Sequence, residues 1–155
     1  MASKQIAREL GGISTEVVLQ RYADRTLVLV TQVGKVGALI QASLPATTQL
    51  PDTVNDSEEP NASQLPQPPP AIQLQPLLGG APSEHLQTLQ NLYVSQIATL
   101  IWVKEDVFGV RRSVVVGLAL KKAEVPAADD VGLSESERVT FLGVVQMVQE
   151  LLEQR

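Results

Sequence analysis

Leu27, Val28, Leu29 and Val30 are apolar without a break, and they constrain this chain more than any other stretch. Successive side chains of a strand point to opposite faces, so a strand written this way is apolar on both. Both faces then require cover, which excludes a sheet edge open to water. Residues 26–33 therefore read as a buried strand. Gly34-Lys35 follows, and residues 36–42 are again apolar apart from Gln41. Glycine in the first central position suits a type II′ turn, so the sequence predicts a hairpin of 26–33 with 36–42. Gly37 leaves a gap in the return strand, for a bulge or for close approach of another backbone.

The remaining elements follow from periodicity. Residues 1–14 are polar and interrupted at Gly11-Gly12, and they read as a loose arm. Val17 and Leu19 alternate with Val18 and Gln20, predicting a strand that turns at residues 23–25 into the hairpin. Residues 44–71 hold seven of the ten prolines, and their charged residues are all acidic. Proline offers no ladder donor, and few large apolar residues are present to offset ordering entropy. This reads as a disordered insertion within a single domain spanning residues 1–155, because too few residues precede it for an independent core. Residues 72–78 are expected as a strand.

Ser83 and Glu84 suit a helix start. Leu86, Leu89, Tyr93, Ile97 and Leu100 recur at helical steps to about residue 103, and Leu92, Val94 and Ile101 broaden the stripe. Residues 113–121 form a strand with a large face (Val114, Val116, Leu118, Leu120) and a small one (Val115, Gly117, Ala119). The small face is the expected seat of the long helix. A second helix opens at the capping-box match Ser134 to Glu137 and buries Phe141, Val145, Val148 and Leu152, joined by Leu142 and Leu151. The order β-β-β-loop-β-α-β-α places the chain in the α+β class, with an antiparallel sheet built on a hairpin core.

The search for chemistry excludes more than it finds. There is no cysteine, so disulfides, thiolate metal sites and a cysteine nucleophile are absent. His85 is the one histidine, too few for a histidine metal cluster. Glu105-Asp106 and Asp129-Asp130 lie in charged loops, where adjacent carboxylates are solvated. Gly34-Lys35 lacks both the earlier glycine and the following Ser or Thr and helix of a phosphate loop. Gly79-Gly80 precedes a helix, as many glycines do without a ligand. The acceptor patterns at Asn55 and Asn61 lack the secretory context that glycosylation requires. A net charge of −5 and only two basic pairs, Arg111-Arg112 and Lys121-Lys122, argue against nucleic acid. No apolar run is long enough to span a bilayer, and Met1 to Gln5 show no signal segment, so a cytosolic or nuclear protein is expected. The expectation is a binding module, with no enzyme activity and no cofactor. Tyr93 belongs to the buried stripe. Trp102, at the helix end, is either core or a partner contact.

The run Thr26-Leu27-Val28-Leu29-Val30-Thr31-Gln32-Val33-Gly34-Lys35-Val36-Gly37-Ala38-Leu39 resembles the proteasome assembly chaperone 3 family. Thr15-Glu16-Val17-Val18, Leu77-Leu78-Gly79, Asn91-Leu92, Val94-Ser95-Gln96 and residues 114–121 extend the match, which covers about residues 15–50, 72–122 and 134–154. The proline-rich insertion and the turn at 104–113 depart from the family pattern. The resemblance implies an α+β chaperone that forms a heterodimer with a second small chaperone. That pair would bind α subunits to promote α-ring formation of the proteasome core particle. A homodimer is possible when the chain is isolated, and neither nucleic acid nor membrane is a partner. Gln32, Gly34, Lys35, Gly37 and Trp102 are the candidate partner-binding residues. The competing reading is an interaction or adaptor module of another complex, such as one in trafficking.

Overall fold

The computed structural model describes residues 3–10, 12–32, 37–45, 71–79, 84–105, 112–119 and 135–153, and structural statements concern these. The elements are β1 (Ser3–Leu10), β2 (Ile13–Arg21), β3 (Arg25–Thr31), β4 (Ala38–Ser43), β5 (Gln73–Leu78), α1 (Glu84–Glu105), β6 (Ser113–Ala119) and α2 (Glu135–Glu153). They form one six-stranded sheet, ordered β1-β2-β3-β6-β4-β5, with both helices on one face. This is the expected α+β class. The sheet is antiparallel except at β3–β6, which is parallel.

The N-terminal arm is a strand, contrary to the sequence reading. β1 pairs with β2 from Ser3↔Gln20 to Leu10↔Ile13, around a turn in which Gly12 adopts φ 80°. Its helix-side positions are Lys4, Ile6, Arg8 and Leu10, so half of them are charged. Those charges have partners on α2. Lys4 Nζ donates to the Leu151 carbonyl, one of the last carbonyls that the helix itself leaves unpaired. Arg8 pairs with Glu150. A strand whose inward side ion-pairs with a helix does not show the apolar alternation that reveals strands in sequence.

The central hairpin is corrected too. β3 and β4 are both strands and run antiparallel, but they do not pair, because β6 lies between them. β3 registers on β6 from Arg25↔Ser113 to Thr31↔Ala119, and β4 registers on its other side from Ala38↔Leu118 to Ala42↔Val114. The strand most nearly buried on both sides takes the centre, as hydrophobic burial favours. The local turn signal reported the reversal of direction and could not report the inserted strand.

α1 packs on β6, β4 and β5, and α2 on β1 and β2. The core between them holds Val17, Leu19, Val28, Val30, Ile40, Val114, Val116 and Leu118 from the sheet. From the helices it takes Tyr93, Ile97, Ile101, Trp102, Val145, Met147, Val148 and Leu151. The large face of β6 thus receives the helix, not the small face expected from the sequence. Tyr93 and Phe141 meet edge to face at 5.1 Å and join the helices. Leu92 and Leu142, assigned by periodicity to buried stripes, are 42% and 46% exposed.

Each outer strand carries a device against further pairing. β5 has Pro76, and its register against β4 shifts between Leu39 and Ile40. β1 carries Lys4, Arg8 and Glu9. Proline, irregular register and charge are common means of closing a sheet edge.

Candidate partner-binding surface

The face of the sheet away from the helices is covered by no described element. Register places its side chains in rows across the strands. One row runs Val18, Leu29, Gly117, Leu39, Leu78 over five strands. The next runs Gln20, Leu27, Val115, Gln41, Gln75. Strand spacing of about 4.8 Å makes each row roughly 20 Å long. Val18, Leu27, Leu29 and Leu39 are half-buried, and Leu78 is 60% exposed.

An antiparallel sheet with one solvated face normally turns polar residues toward water. The margins here obey that rule: β1 offers Ser3, Gln5 and Glu9, and β5 offers Gln73 and Gln75. Gln5 donates to the Glu16 carboxylate at this margin. The centre, on β2, β3, β6 and β4, does not obey it. An apolar centre within a polar rim is the layout of a protein interface. The sequence signal for this surface was present, because β3 is apolar on both sides. Among the described residues, helices cover one side alone.

The candidate residues from the sequence fall into separate roles. Gln32 directly follows β3: its backbone N–H donates to the Ala119 carbonyl at 2.8 Å, and its side-chain amide donates to Thr15 Oγ1 at 3.0 Å. Gly37 immediately precedes β4, on the opposite side of β6. A Cβ there would stand 2.7 Å from the Leu118 carbonyl oxygen, so the close backbone approach expected from the sequence is present. Gly79, at φ 75°, lies equally close to Gly37: its Cβ would meet the Gly37 carbonyl oxygen at 2.5 Å. Gln32 and Gly37 thus anchor the chain on the two flanks of the β6 end. Gly34 and Lys35 lie outside the described residues.

Trp102 is core. It is 1% exposed, and its indole N–H donates to the Arg112 carbonyl at 2.6 Å. Both its apolar body and its polar tip are satisfied within the chain, so the partner contact weighed for it from sequence has no free surface to use.

Electrostatic perturbation is slight and peripheral. Burial of the Lys4 ammonium, followed by the charge of Arg21, lowers its pKa. Asp24, in the β2–β3 turn, is lowered by the hydrogen bond from the Arg25 guanidinium. Neither lies in a cleft among groups that could share a reaction. Among the described residues no three His, Asp or Glu side chains gather as metal ligands would, and no helix is long and apolar enough to cross a membrane.

No protein-family model matches the sequence, and no curated protein matches it. Among solved structures, the chain is similar to one from the crystal structure of a novel chaperone complex for yeast 20S proteasome assembly. The TM-score is 0.54 at 12% sequence identity, and the match covers 98% of this chain and 99% of that one. The two share a fold from end to end.

Proposed function

We propose that this protein is a non-enzymatic proteasome assembly chaperone. It pairs with a second small chaperone, and the pair binds α subunits while the α ring of the core particle forms, in the cytoplasm and nucleus. The end-to-end fold likeness carries this reading, because it spans nearly the whole of both chains. The resemblance of residues 26–39 to proteasome assembly chaperone 3 supports it from the sequence alone. The open sheet face supports the pairing. Val18, Leu27, Leu29, Leu39 and Leu78 form a contiguous apolar area that a lone soluble domain rarely leaves uncovered. A partner with a similar open sheet covers it face to face, at the usual spacing of about 10 Å between packed sheets.

The test is affinity purification of the tagged chain from its native cells, followed by reconstitution. Recovery of proteasome α subunits together with a second small chaperone is expected. In reconstitution, the chaperone pair raises the yield of α rings from purified α subunits. Recovery of a trafficking complex in place of α subunits, with no effect on ring yield, would refute the proposal and favour the adaptor reading.

A further inference from the structure

We draw no further inference here: the strongest candidate, the basic side chains Lys4, Arg21 and Arg112 at the sheet end where both helices finish, carries nothing, because Lys4 already donates to the Leu151 carbonyl and nothing in the structure shows what covers the others.

Discussion

The two faces of this sheet use similar residues for different ends. On the covered face, Val28, Val30, Val114, Val116 and Leu118 meet the helices and are almost wholly buried. On the open face, Leu27, Leu29 and Leu39 occupy the alternating positions of the same strands, remain half-buried and meet no helix among the described residues. One set is covered by the chain's own helices, and the other is left without such cover among the described residues. The contrast teaches that hydrophobic alternation, read along a strand, shows how many faces need cover. It does not show whether the cover belongs to the same molecule.

The covered face can be broken first. Trp102→Ala removes a buried ring and leaves the Arg112 carbonyl without its donor. It should cost about 3–5 kcal/mol, read as a fall in the denaturant midpoint. Gly79→Ala tests the strand junction. It places a Cβ against the Gly37 carbonyl oxygen at a positive φ, and at least about 2 kcal/mol should be lost in the same measurement. Leu29→Glu is the matching probe of the open face. It should leave the stability of the isolated chain within about 1 kcal/mol while weakening partner association at least about tenfold by titration calorimetry. If Leu29→Glu unfolds the chain as Trp102→Ala does, the distinction between the faces is wrong.

Two smaller changes sharpen the same contrast. Thr26 is fully buried on the covered face, and its hydroxyl has no hydrogen-bond partner. Thr26→Val keeps the shape and removes that uncompensated group, so a gain of up to about 1 kcal/mol is expected by thermal melting. Asp24 gives the smallest effect. Its folded pKa lies below the ordinary value, so it contributes stability above the ordinary carboxylate range. That contribution is lost as pH falls through the folded value. The group is fully exposed, so solvent screening keeps the effect small. Asp24→Asn should lower the melting temperature slightly at neutral pH and leave it unchanged at pH below the folded value, which flattens the acid limb of the profile.

Much of the fold was legible because most elements report themselves locally. The steps from Leu89 through Tyr93 and Ile97 to Leu100 marked α1, and the alternation at Val17 and Leu19 marked β2. β1 was not legible as a strand, because Lys4 and Arg8 face a helix that arrives more than a hundred residues later. The glycines of its turn were a signal available from the start: Gly11-Gly12 between alternating runs favours a two-residue hairpin. The insertion of β6 between β3 and β4 was illegible for a related reason. Strand neighbours are chosen by competition among all strands for the centre of the sheet, while a turn signal in the sequence, such as Gly34-Lys35, carries local information alone. For the candidate surface, the need for cover was legible at Leu27 and Leu29. The exposure of Leu142 was not legible, because periodicity assigns it to the buried stripe of α2, whereas Leu92 already broadens the α1 stripe toward a second surface.

The closed edges of the sheet bear on how this protein can count. Pro76 and the shifted register end one edge, and the charges of β1 end the other. A molecule with sticky broad sides and open edges would recruit copies sideways without limit. With its edges shut, this one is closed to growth by strand addition, so any association must use a broad side of the sheet, where the number of copies that fit is limited by area.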